Sequence, residues 1–159
     1  MISLNHMHKI KIYTDGSSRG NPGPGGWAAV IIFDDREEKI KEIGGREENT
    51  TNNKMEMTAA IESLGMTKEN SEIEIYTDSE YLMKGITIWI HNWQKNNWKT
   101  KDKKDVLNKD LWLSLLEETS KRNVSWKKVA GHSGDKWNER CDEIATSFAD
   151  GKRVTLKMA

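Results

Sequence analysis

Residues 12–16 read IYTDG and residues 75–79 read IYTDS. Each is a β-favouring run closed by Thr-Asp and then by a residue that opens a turn or a helix. If the two strands lie side by side and parallel, Asp15 and Asp78 emerge together at their carboxyl ends, where open α/β sheets place their sites. Two carboxylates in one cleft are tolerated only if one is protonated or a cation lies between them. Oxygen ligands without Cys or clustered His favour Mg²⁺ or Mn²⁺ over zinc.

Around this pair the pattern changes type in a fixed order. KIKIYT is a short first strand, and the Gly/Pro cluster GNPGPGG after it predicts a tight loop. WAAVIIF is a second strand running to the turn DDRE, and a third spans about Ile40 to Gly44 before a polar bend. Met57, Ile61 and Leu64 recur at i, i+4, i+7, the mark of a helix with one buried stripe. EIEIYT is the fourth strand. A polar region dense in Trp and Lys follows, then a helix around Leu111 to Thr119 and the strand VSWKKV. The last helix carries Trp137, Cys141, Ile144, Ala145 and Phe148 on one face. The order β-β-β-α-β-α-β-α describes an α/β domain with helices packed on a mixed sheet. Residues 1–8 read as an extension, 9–150 as a single domain, and 151–159 as a tail expected to fray.

Composition sets the limits. A chain of 159 residues suffices for one core and should bury roughly 68–70% of its extended surface. Lys and Arg total 25 and Asp and Glu total 25, so net charge says nothing about a polyanionic partner and only the distribution of charge can. One cysteine, Cys141, excludes an internal disulfide framework and a Cys-based zinc site. The opening MISLNHMHKI lacks the apolar core of a secretory signal, and no run approaches the roughly 18 apolar residues of a membrane span. A cytoplasmic protein without membrane contact is the expectation.

Two further acids fit the same corner. Glu56, in NNKMEM, falls in the first turn of the first helix at the margin of its apolar stripe. Asp142, in NERCDE, follows Cys141 and stands one turn after Asn138. Four carboxylates can hold two hard cations about 3.5–4 Å apart, the arrangement that polarises a phosphodiester, activates water and stabilises the leaving oxygen. That is nuclease chemistry. Each acid also has an ordinary reading: Asp78 as a helix N-cap, Asp15 as a turn former, Glu56 as half of a capping box with Asn53, and Asp142 as a solvated helix residue. His132, in the loop GHSG, reads alone as a surface histidine.

Together the blocks TDGSSRGNPGPGG, TTNNKMEM, YTDSEYLMKGITIWIHNW and GHSGDKWNERCDEIA resemble type 1 ribonuclease H in order and setting, from about Lys9 to Asp150. The resemblance implies a ribonuclease H-like fold, whose five-stranded sheet has three antiparallel N-terminal strands and two parallel ones. It implies an endonuclease that cuts the RNA strand of RNA/DNA hybrids with two Mg²⁺ ions, Mn²⁺ being a possible substitute. Asp15, Glu56, Asp78 and Asp142 match the family's metal-binding acids; Asp15 and Asp78 with Glu56 would hold one ion, and Asp142 with Asp15 the other. His132 matches the family's loop histidine, a proton relay or an aid to product release, with Gly131 and Gly134 on either side.

The same resemblance places Gly16, Ser17, Asn21, Thr51, Asn52 and Asn53 along the minor groove of the hybrid, where amides and hydroxyls both donate and accept and the 2′-OH separates RNA from DNA. Glu80 stands where well-known relatives carry Gln, and an ionised carboxylate can only accept. WIHNWQKNNWKTKDKKDV, about 89–107, looks like the family's basic handle: Lys95, Lys99, Lys101, Lys103 and Lys104 alternate with Trp89, Trp93 and Trp98. The ordinary reading of this stretch is a solvated helix hairpin with its tryptophans in the core. Two other functions fit the fold: an integrase-like DNA nuclease, opposed by the intact TTNNKME and the handle, and a non-catalytic hybrid-binding module, opposed by four intact acids. A monomer is expected.

Overall fold

The computed structural model describes residues 9–34, 36–129 and 135–158. Its strands are β1 (Ile10–Ser18), β2 (Gly23–Ile32), β3 (Ile40–Thr50), β4 (Glu72–Thr77) and β5 (Asn123–Lys128). They form one sheet in the order β3-β2-β1-β4-β5. The pairs β1–β2 and β2–β3 are antiparallel, and β1–β4 and β4–β5 are parallel, so the expected mixed sheet is present. Ile12 pairs with Ile75 and Tyr13 with Tyr76, which sets the two IYTD repeats in register.

The helices are α1 (Asn52–Leu64), α2 (Glu80–Lys84), α3 (Ile90–Lys95), α4 (Lys109–Ser120) and α5 (Lys136–Ala149), with a π-helical turn, Gly85–Trp89, joining α2 to α3. Strand alternation sorts the apolar side chains onto two faces. Ile12, Ile31, Ile73 and Ile75 pack with Met57 and Leu64 of α1, Leu82 of α2, and Trp112 and Leu115 of α4. Tyr13, Val30 and Ile32 pack on the other face with Cys141, Ile144 and Phe148 of α5. Among the described residues no helix is long and apolar enough to cross a membrane.

Four local features differ from the sequence reading. First, β1 does not stop at Thr14 but runs on through Asp15 and Gly16 to Ser18, paired with Ala28 down to Gly25. Second, residues 23–26 of the Gly/Pro cluster are strand, not loop. Their glycines serve close packing: a Cβ on Gly26 would lie 2.2 Å from the Ala145 carbonyl oxygen, so α5 could not sit against the sheet. Third, β3 continues through the polar segment to Thr50, and the Trp-rich region is helical from Glu80 to Lys95.

The fourth difference is the tail, which is held rather than frayed. Val154 and Leu156 pack against the α5-side core. Glu42 N donates to the Lys157 carbonyl at 2.8 Å, Lys157 N returns to Glu42 Oε1 at 2.8 Å, and Arg140 Nη2 reaches the Thr155 carbonyl at 2.9 Å. The buried Glu42 carboxylate also takes two bonds from Arg140, at 2.7 and 2.8 Å, which hold it below the ordinary glutamate range.

Candidate active site

Asp15, Glu56 and Asp78 offer carboxylate oxygens that all lie within 4.8 Å of one another. Asp15 is a buried residue of β1, Glu56 is buried in α1, and Asp78 follows the last residue of β4. The parallel register of β1 and β4 brings the two aspartates level. Glycine brings the glutamate. A Cβ on Gly16 would stand 2.4 Å from the backbone nitrogen of Glu56, so only a residue without one lets α1 press this closely on β1.

The ordinary readings of these three acids do not describe them. The N-cap of α2 is Ser79, whose hydroxyl oxygen accepts from Leu82 N at 3.1 Å, not Asp78. Thr51 caps α1 through Lys54 N, which places Glu56 beyond the reach of a capping box. Asp15 lies in mid-ladder, its Oδ1 accepting the Gly16 N–H at 2.9 Å.

Their electrostatics are those of a site that wants a cation. Burial pushes the Asp15 carboxyl up to about 7, and repulsion from Asp78 adds to it. Glu56 is pushed well above the ordinary range by burial first and by Asp15 and Asp78 next. Its buried Oε1 has no hydrogen-bond partner, an expensive state for a carboxylate unless an ion takes that position. Four or more hard oxygens with no sulfur among them suit Mg²⁺ or Mn²⁺.

Asp142 is exposed on α5, one residue after buried Cys141, and raises the Asp15 pKa slightly by its charge. It borders the cluster of three without belonging to it. Cys141 is no nucleophile: its Sγ donates to the Tyr13 carbonyl at 3.1 Å, and burial pushes the thiol far up. His132, Gly131 and Gly134 lie outside the described residues.

The expected substrate contacts lie along a rim. Asn21 is exposed in the β1–β2 loop, and Thr51, Asn52 and Asn53 form the start of α1. Gly16 and Ser17 are half-buried in β1 beside Asp15. Glu80 is exposed and ion-paired, Lys128 Nζ donating to its Oε1 at 3.0 Å. The handle divides as both readings of it require. Trp93 and Trp98 pack against the core, and Trp89, Trp93 and Trp98 run in series with ring centroids about 6 Å apart. Lys95, Lys99, Lys101, Lys103 and Lys104 are exposed. Lys99 is bound to Asp105 at 2.7 Å, and the main chain closes there as a single bridge. Sequence reasoning missed Asn108. Its backbone is left-handed, with φ 61°, its Nδ2 donates to the Tyr81 hydroxyl at 3.0 Å, and it lines a groove of about 690 Å³ between α1 and α4. The signal that could have found it is Asn immediately before a helix.

A mixed sheet with clustered acids at the exit of its central strands defines the ribonuclease H class. The family model described as RNase H matches residues 7–150, and the chain belongs to that family. It is 53% identical over 152 residues to a ribonuclease H of Rickettsia bellii (strain RML369-C), covering 96% of this chain and 94% of that one. It is also 53% identical over 149 residues to a ribonuclease HI of Rickettsia prowazekii (strain Madrid E), covering 94% and 96%. Among solved structures it is similar to LC9-RNase H1, a type 1 RNase H with the type 2 active-site motif, with a TM-score of 0.82 and 28% identity over 94% of this chain and 77% of that one.

Proposed function

We infer that this protein is an endonuclease that hydrolyses the RNA strand of RNA/DNA hybrids without regard to base sequence, using Mg²⁺ or Mn²⁺. The observation that carries the reading is the packing of Asp15, Glu56 and Asp78 within 4.8 Å, with a buried Glu56 oxygen left unpartnered. Bound divalent cations supply Lewis-acid polarisation of the phosphodiester and lower the pKa of water. The chain supplies the rest. Asp15, Glu56 and Asp78 bind from inside the cleft, and Asp142, reaching in from α5, completes a second position with Asp15. His132 is assigned proton transfer at the outer side of the cleft. Attack falls to water because the cysteine beside the acids is locked as a neutral donor to a carbonyl.

Recognition follows from the rim and the handle. Gly16, Ser17, Asn21, Thr51, Asn52 and Asn53 are assigned the minor groove, where short amides and hydroxyls meet 2′-hydroxyls. The Thr51 oxygen already accepts from Lys54 N, so its hydroxyl is left to donate. Trp89, Trp93 and Trp98 with Lys95, Lys99, Lys101, Lys103 and Lys104 are assigned the backbone of the DNA strand. The reading includes one nuclease domain, 9–150, acting as a cytoplasmic monomer.

The test uses a labelled hybrid of 12 or more base pairs whose RNA is 2′-O-methylated except for a short central ribose tract. With Mg²⁺, cleavage should fall only inside that tract and should stop on chelation, while all-DNA and all-RNA duplexes stay whole. A bound but uncut hybrid would make this a binding module, and a cut DNA strand would make it an integrase-like nuclease.

A further inference from the structure

Glu80 stands two residues after Asp78, at the start of α2, and its carboxylate is engaged from two sides. Lys128 Nζ donates to one oxygen at 3.0 Å, and Lys84 Nζ lies 3.6 Å from the other. Lys128 ends β5 and pairs in register with Thr77, the last residue of β4, so it stands at the strand end from which Asp78 emerges. Two ammonium groups on one carboxylate leave a net charge of one positive beside a site of four acids. These ion pairs are solvent-exposed, and such pairs contribute little to stability. A polyanion that enters the cleft gains more from the two lysines than the fold does, because neutralised phosphates dominate nucleic-acid affinity. The lysine partners hold the Glu80 carboxyl below its ordinary range, Lys128 most of all, so it stays ionised and has no proton to donate to a base.

We propose that Lys84 and Lys128 bind the phosphate backbone of the hybrid beside the catalytic acids, and that Glu80 holds them in the free protein and gives them up to the phosphates. Glu80 is then not a substrate contact. It is a competing anion that tempers affinity. The proposal rests on the hybrid-cleavage reading above. It also explains why a carboxylate is compatible with a cleft that must admit phosphates.

The experiment is steady-state hybrid cleavage with Mg²⁺ between about 50 and 200 mM KCl. In Lys84→Ala/Lys128→Ala, KM should rise with kcat within about twofold of wild type. The slope of log(kcat/KM) against log salt should become shallower by roughly 0.9 per lost contact. Over that salt range wild type should therefore lose about tenfold more activity than the double variant. Lys84→Gln/Lys128→Gln, which keeps part of each stem, should behave alike, and equal melting temperatures show that both variants fold. Glu80→Ala should leave KM at or below the wild-type value, since a competing negative charge is gone. A wild-type slope in the lysine variants, a loss confined to kcat, or a raised KM in Glu80→Ala overturns the proposal. Failure of wild type to cut the hybrid at all would instead overturn the reading on which it rests.

Discussion

Without a cation, the acids should make the protein less stable as pH rises. The Asp15 carboxyl stands at about 7 in the folded chain against 3.8 for an unperturbed aspartate. A raised folded pKa means that the folded state holds the proton more tightly than the unfolded state. The stabilisation from this group is therefore complete below about pH 4 and is lost as pH climbs to about 7. At about 1.4 kcal/mol per pH unit, the part lost between pH 5 and pH 8 is about 3 kcal/mol, and Glu56 acts in the same direction. For a domain of this length that corresponds to a melting temperature lower by on the order of 10 °C at pH 8. This window avoids the low-pH titration of carboxyls whose pKa is depressed, such as Glu42. Calorimetry in chelator at pH 5, 6, 7 and 8, repeated with Mg²⁺, measures it. Mg²⁺ should restore far more stability at pH 8 than at pH 5, because ligating carboxylates must be deprotonated. Asp15→Asn should flatten most of the chelator curve. Equal melting temperatures across pH in wild type, or an unaltered slope in Asp15→Asn, would refute the reasoning.

Asp78→Asn should abolish Mg²⁺-dependent cleavage and leave the melting temperature in chelator unchanged or raised, since one of three crowded charges is removed; substantial activity in that variant sinks the metal assignment. Replacing Lys99, Lys101, Lys103 and Lys104 with Ala should weaken hybrid binding and reduce the salt slope by nearer three contacts than four at roughly 0.9 each, because Asp105 already holds Lys99; a slope that does not move means that the handle does not touch the backbone. Gly85→Ala should destabilise by about 1–3 kcal/mol in denaturant melts, because its Cβ would lie 2.0 Å from the Trp112 ring; a melt at the wild-type midpoint would show that the π-helical turn yields at no cost.

Much of this was legible in the sequence because its signals are periodic. The five strands follow in the expected order, and the duplicated IYTD foretold the parallel register that sets Asp15 level with Asp78. Glycine misled where it serves packing instead of turning: residues 23–26 punctuate the sequence, yet they form strand because α5 needs the space over Gly26. The helical run from Glu80 to Lys95 was hidden because the π-helical turn shifts the phase of its apolar residues midway. The tail looked free because what holds it, Glu42 and Arg140, lies about a hundred residues away and a dozen or so residues away, beyond any local pattern.

That tail has a consequence for how the molecule behaves among its own copies. β3 is an outermost strand, and an uncovered strand of eleven residues is a template on which another chain can build. With Lys157 exchanging two hydrogen bonds with Glu42 and Val154 and Leu156 tucked beneath, part of that margin is already taken from within. A protein that must be kept concentrated for crystals or assays is thus better fused or tagged at its other end. Cutting it back past Val154 would trade a soluble species for one inclined to join edge to edge.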